Sequence, residues 1–262
     1  MEKQYILDAV DAEMLESRRS ALKKIGLGVA AASVPLTFAS LSRDAFAQST
    51  DPQALITALN FLVILKYLEA DFYTQGIAAA GLIPASDLPV FQQIVKHETA
   101  HVDFLTSTVT TLGGVAATRP SFSFNAKGGL PDPFDPANYQ VFLGLAQAFE
   151  DLGVRMYKGQ VPNLMGNRDV LTAVMQIHSM EARHAAEVRR LRGQKGWITG
   201  DTVDAGIPAT VRSIYLGEEN VTQSTADITA LPGVSGAAVA TEAFDEPIGK
   251  ASVLLFFKVF IA

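Results

Sequence analysis

Two short runs of this 262-residue sequence place a carboxylate three residues ahead of an imidazole: "ETAH", with Glu98 and His101, and "EARH", with Glu181 and His184. On a helix, positions i and i+3 share a face, so each pair can offer one oxygen and one nitrogen donor to the same point. With 12 Glu and 4 His in the chain, chance would supply roughly 0.2 such pairs. Two further carboxylates, Glu69 and Glu150, stand midway along other mostly apolar helical stretches. Gathering four carboxylates in one core without counter-charge is prohibitive, since each unpaired buried ion costs several kcal/mol and like charges raise one another's pKa. Lys66 and Arg183 could each pair locally, but no Lys or Arg recurs at equivalent positions on all four stretches. Two divalent cations would neutralise four carboxylates. A mixed set of oxygen and imidazole donors suits iron or manganese better than magnesium, and admits zinc as a poorer match.

The elements that must position these groups are four long segments of helical periodicity. The first is expected from about Pro52 to Ala80, with Asp51 as N-cap and proline at its first position. The second is expected from about Asp87 to Leu112, capped by Ser86. The third should cover about Ala137 to Gln160. The fourth should run from about Arg168 to Arg192, with Asn167 as cap and Arg189, Arg190 and Arg192 near its C-terminal end, where cations suit the helix dipole. "GLIPAS" and "VPNLMGN" are short connections, so helices one and two are antiparallel neighbours, as are three and four. About two dozen Gly- and Pro-rich residues separate the two pairs, enough to travel the length of a bundle.

Register supplies an independent check. Both arms of a helical hairpin rise about 1.5 Å per residue, so residues equidistant from the turn lie level. The midpoint of Glu69 and Glu98 falls between Ile83 and Pro84, and that of Glu150 and Glu181 between Met165 and Gly166, each inside its turn. Each hairpin therefore sets a Glu level with a Glu-x-x-His. The architecture expected is all-α: a four-helix bundle of two antiparallel hairpins joined by a long crossover, with a C-terminal extension ending in a short helix.

The order Glu, Glu-x-x-His, Glu, Glu-x-x-His over residues 69 to 184 resembles the ferritin-like di-iron and di-manganese carboxylate proteins, with all six ligand positions filled. The resemblance covers the bundle, a little over half of the chain. It implies metal ligation by Glu69, Glu98, His101, Glu150, Glu181 and His184. Glu98 and Glu181 would bridge two Fe or Mn ions, Glu69 and His101 would complete one, and Glu150 and His184 the other. It also implies redox chemistry with dioxygen or peroxide, although a fold alone does not establish an activity. If the chain is an enzyme, it would be a di-metal oxidoreductase. Iron sequestration, or a desiccation or stress protein in which the metal cross-links helices, are the alternatives. Tyr73, at i+4 from Glu69, and Tyr157, at i+7 from Glu150, read as core residues with a satisfied hydroxyl or as redox or hydrogen-bonding groups near the site, and His178, one turn before Glu181, as a helix-flank residue or a supporting contact. His97, rotated about 100° from Glu98, reads as a groove or surface residue. Met156, Met165, Met175 and Met180 read as core or turn packing. Glu218, Glu219, Asp245 and Glu246 read as caps or surface groups.

Outside the bundle, residues 1–47 read as a leader. "SRRSALKK", a moderately apolar run and "AFAQ" resemble a twin-arginine export signal, with Arg18 and Arg19 as the pair and cleavage after Ala47. That implies a precursor recognised by the twin-arginine machinery and a periplasmic or otherwise extracytoplasmic product. "GEEN" and "EAFDEP" further resemble exported ferritin-like proteins related to plant desiccation-associated proteins. The expected organisation is thus 1–47 signal peptide, 51–193 bundle and 194–262 extension. The extension's helix should start at Asp245-Glu246-Pro247 and pack on the bundle or on a neighbouring subunit of a homo-oligomer. The leader carries as many acids as bases, so its removal leaves the net charge of −6 unchanged. Outside the N-terminal segment no Lys/Arg-rich run occurs, which argues against nucleic acid as partner. The absence of cysteine excludes disulfides, thiolate zinc sites and cysteine nucleophiles.

Overall fold

A computed structural model describes residues 51–262 apart from 202 and 204. The export signal expected over residues 1–47 lies outside the described residues. Four long helices dominate: α1 (Pro52–Ala78), α2 (Leu88–Thr111), α3 (Tyr139–Leu164) and α4 (Arg168–Leu191). They pack as two hairpins, α1 with α2 and α3 with α4, laid together mainly through α1 and α3. The chain is an all-α bundle of two antiparallel hairpins, as the periodicity predicts. Among the described residues no helix is long and apolar enough to cross a membrane.

The caps show why the hairpins begin where they do. Asp51 accepts from the Gln53 amide at 2.9 Å, with Pro52 inside the first turn, and Asn167 accepts from the Val170 amide at 3.1 Å. Each such cap supplies an acceptor to an otherwise unpaired amide and contributes about 1 kcal/mol. Ser86 is not the cap of α2. Its hydroxyl donates to Asp87, which takes the N-cap position without bonding an amide; the Asp87 carboxylate instead accepts from Tyr139 at 2.8 Å, tying the start of α2 to α3. Helix α3 starts two residues later than expected and runs a turn further, through Pro162 and most of "VPNLMGN". Pro162 has no amide to give the Lys158 carbonyl, so the last turn of α3 lacks that rung.

Helix α3 is the core of the molecule, buried without interruption from Phe142 to Tyr157. Phe72 of α1 stacks on Phe142 with centroids 4.8 Å apart and meets Phe149 edge-on at 4.9 Å. Side chains of this size contribute about 1.5–3 kcal/mol each when fully buried.

The C-terminal extension wraps this core. After a two-stranded ribbon, β1 (Thr222–Gln223) with β2 (Ala226–Asp227), and a short helix α5 (Ala237–Thr241), helix α6 (Lys250–Phe260) lies on the bundle. Phe256 and Phe260 meet Phe149 edge-on at 5.8 and 5.2 Å, and Phe257 meets Phe61 at 6.0 Å. Helix α6 begins at Lys250, later than the Asp245-Glu246-Pro247 start expected, because the segment before it runs extended along α3. There the Ile248 amide bonds the Arg155 carbonyl at 3.2 Å, and Gly159 leaves room for the Ile248 carbonyl, which a Cβ would meet at 2.4 Å.

Buried ion pairs fasten the same face. Arg189, expected at the helix end as a dipole-complementing cation, turns inward and grips Asp151 with two bonds of 3.0 and 2.6 Å, while Tyr215 donates to the same carboxylate at 2.6 Å. Glu218, expected at a cap or on the surface, is buried: it pairs with Arg155 at 2.6 Å and accepts from the Glu246 amide at 2.9 Å. Arg155 also donates to the carbonyls of Ile214, Glu246 and Leu216. Met156 is core, whereas Met175 lies on the surface.

Candidate metal centre

The level register of the two hairpins brings Glu69, Glu98, Glu150 and Glu181 together, all four fully buried. Three overlapping groups of donor atoms lie within 4.8 Å of one another: Glu98, Glu150 and His184; Glu98, His101 and Glu181; and Glu69, Glu150 and Glu181. Glu98 Oε1 stands between the two imidazoles, 3.4 Å from His101 Nδ1 and 3.1 Å from His184 Nδ1. Glu181 Oε1 faces His101 Nδ1 at 3.6 Å, and Glu150 Oε2 faces His184 Nδ1 at 3.4 Å.

The donor set passes a direct test of fit for cations. Glu69 Oε1, Glu98 Oε1, Glu150 Oε2, Glu181 Oε1, His101 Nδ1 and His184 Nδ1 are all buried without a hydrogen-bond partner. Native interiors leave few polar atoms so, and six converging on one place call for a ligand that accepts lone pairs. A glycine makes the room. Gly153, one turn beyond Glu150, would bring a Cβ to 2.5 Å from Glu181 Oε2 and 3.4 Å from Glu69 Oε1.

Lys66 is the residue that spacing alone undervalued. Its ammonium, fully buried, lies 2.5 Å from Glu69 Oε2, 2.6 Å from Glu98 Oε2 and 2.5 Å from Glu181 Oε2. The signal was present, since Lys66 interrupts "FLVILKYLEA" on the same face as Glu69, one turn earlier. Arg183 is exposed and turns to Met180 instead. Glu69 groups with Glu150 and Glu181, whereas His101 groups with Glu98 and Glu181.

These charges reshape one another. Burial pulls the Lys66 ammonium down, but the Glu181, Glu69 and Glu98 carboxylates outweigh it and hold its pKa well above the ordinary lysine value. Burial pushes Glu69 well up, and burial with the Glu98 charge lifts Glu181 to about 8. Burial also acts on Glu98, yet Lys66, His101 and His184 overcome it and hold this carboxyl well below its usual range. Burial opposes protonation of His184, but Glu150 and Glu98 raise it to about 10. Among the protein's own groups, the centre limits its charge by keeping protons on some carboxyls.

Around this set, Tyr73 donates to Glu150 Oε1 at 2.6 Å. Tyr157 turns its ring face to Lys66, 5.5 Å from the centroid, with its buried hydroxyl unbonded. His178 is not gathered with the six: burial and Lys158 lower its pKa, Asp245 is its acidic neighbour, and among the described residues no bond links it to the ligand set. His97 is nearer the chemistry than its helical angle implied. Its Nδ1 lies 2.9 Å from His184 Nε2, the two rings stack 9° from parallel, and its Nε2 lies 2.6 Å from the Gln93 side-chain amide. The contact joins His97 to the outer nitrogen of His184 and leaves Nδ1 facing the carboxylates, the kind of outer bond that orients a ligating imidazole.

A family model described as a ferritin-like domain matches residues 54–194, the span of the four long helices. More than half of the chain is matched, and the chain belongs to that family. No curated protein matches it.

Proposed function

We propose that this chain is an exported ferritin-like carboxylate protein that holds two iron or manganese ions on Glu69, Glu98, His101, Glu150, Glu181 and His184 and carries out redox chemistry with dioxygen or peroxide. The observation that carries this reading is the convergence of six buried, unpartnered donor atoms behind a glycine that leaves them space. Bound ions of this kind would supply electrons to an oxidant. The chain's own groups supply the rest. Glu98 and Glu181 each present one oxygen to the imidazole side and one to Lys66. Tyr73 orients Glu150 by its hydroxyl bond, and His97 orients His184. The partly exposed His101 marks the side of approach. Export rests on the "SRRSALKK" and "AFAQ" segments of the sequence.

The first test is elemental analysis of the purified protein for iron, manganese and zinc. About two iron or manganese ions per chain are expected, the number that neutralises four carboxylates. Glu98→Ala or Glu181→Ala should abolish two-ion binding. Glu187→Ala should not, because Glu187 pairs only with Arg190 on the surface. Equal metal loss in all three would overturn the assignment. Oxygen consumption or peroxide breakdown by the loaded protein then tests the redox claim, whereas iron far above this stoichiometry would indicate storage.

A further inference from the structure

The two halves of the ligand set are not equivalent, and Lys66 is the cause. Glu98, Glu150 and His184 form a group in which Glu150 makes no ion pair with the ammonium and Glu98 turns its Oε1 away from it. On the other side, Glu69, Glu98 and Glu181 each give their Oε2 to Lys66 at 2.5–2.6 Å. Glu69 has no other cation beside it among the described residues. Its carboxylate is therefore committed to the ammonium, and so are the second oxygens of both expected bridging residues.

We infer that Lys66 is a built-in cation that competes for one metal position, so that ions enter the centre unequally: the first on Glu98, Glu150 and His184, the second only against the ammonium at Glu69 and Glu181. This rests on the metal-centre reading above and adds to it an order of loading and the residue that sets it. The physical basis is charge and geometry together. The ammonium donates hydrogen bonds to Glu98 Oε2 and Glu181 Oε2, and Glu69 Oε2 stands 2.5 Å away as an ion pair. A divalent ion on that side must share those oxygens with a fixed positive charge buried where screening by water and salt is weak. An ion on the Glu150 side meets two donor groups that Lys66 does not touch. The ammonium also helps the carboxylates gather during folding before any metal arrives, since removing a buried cation from such a cluster leaves uncompensated charge.

The test uses the full-length protein, stripped with chelator and titrated with Mn(II), with free aqua-Mn(II) counted by electron paramagnetic resonance. In the wild type, one ion should bind at least about tenfold more tightly than the second, the scale expected when one buried charge opposes the other. In Lys66→Met the two steps should converge to within about threefold, because the competing charge is gone and the side-chain length is kept. Two equal steps in the wild type, or unequal steps unchanged in Lys66→Met, would overturn the inference while leaving the metal centre intact. Failure of both proteins to bind Mn(II), Fe(II) or Zn(II) would overturn the metal-centre reading and this inference with it. Should Lys66→Met not fold, by circular dichroism, Glu69→Gln and Glu150→Gln decide. The tight step must survive in Glu69→Gln and be lost in Glu150→Gln, and its equal loss in both refutes the order.

Discussion

Gly153 and Glu181 sit on facing helices of one hairpin, so close that a single added methyl on Gly153 would stand 2.5 Å from a carboxylate oxygen of Glu181. Helix-interior glycine costs about 1 kcal/mol relative to alanine, so Gly153→Ala ought to stabilise α3 if propensity alone decided. We predict the opposite in both readouts: no gain in thermal stability and at least about tenfold weaker metal binding, since displaced donors lose their common point. A raised melting temperature with unchanged metal affinity would refute the cradle.

His97 should matter more than a groove residue would. Breaking its 2.9 Å contact with His184 in His97→Ala frees that ring to turn, and outer partners of a ligating imidazole typically contribute about 10–100-fold in affinity. Calorimetric titration with Mn(II) measures it. Gln93→Ala, one contact further out, should lose less.

Metal affinity should rise with pH. His184 is raised from 6.5 to about 10 and Glu181 from 4.5 to about 8, so in metal-stripped protein both bind protons that a cation must expel. The raised His184 value means that its pairing stabilises the stripped protein fully below about pH 6.5 and is lost as pH rises through about 10. Binding and stability therefore run in opposite directions across that window. Calorimetry in buffers of different ionisation enthalpy should find on the order of two to three protons released per loaded centre. No release at pH 7 would contradict these assignments.

Buried and surface ion pairs should behave differently in the same helix. Asp151→Ala removes the carboxylate that takes two bonds from Arg189 and one from Tyr215, leaving a guanidinium buried beside the neighbour of Glu150. A loss of about 3–5 kcal/mol by urea denaturation is expected. Glu187→Ala, which breaks an exposed pair with Arg190, should cost no more than about 1 kcal/mol.

Much of the architecture could be read from the chain because periodicity, caps and turns agreed. Asp51 and Asn167 cap as their types require, and the paired spacings of Glu69 with Glu98 and Glu150 with Glu181 place all four carboxylates at one level. Where reading failed, tertiary contacts had overruled local chemistry. Ser86 lost its cap to an Asp87 engaged by Tyr139, and Pro162 was absorbed in a helix end that sequence would break there. Arg189 and Glu218 looked like surface charges because their partners, Asp151 and Arg155, lie on a different segment in each case. Lys66 and Gly153 could have been found from sequence: a lone cation in an apolar run and a glycine one turn past a buried Glu are both anomalies for a helix interior.

The aromatic seam between Phe149 and helix α6 joins residues roughly a hundred positions apart, whereas each hairpin closes over a turn of a few residues. Chain-closure entropy makes such distant contacts slow relative to local ones. The two hairpins should therefore assemble first and the last helix dock onto them afterwards, and α6 amides should exchange with solvent hydrogen at lower free energy than those of α3. Folding then has an interval in which the carboxylates have met while the outer faces of Phe61 and Phe149 still stand open to water.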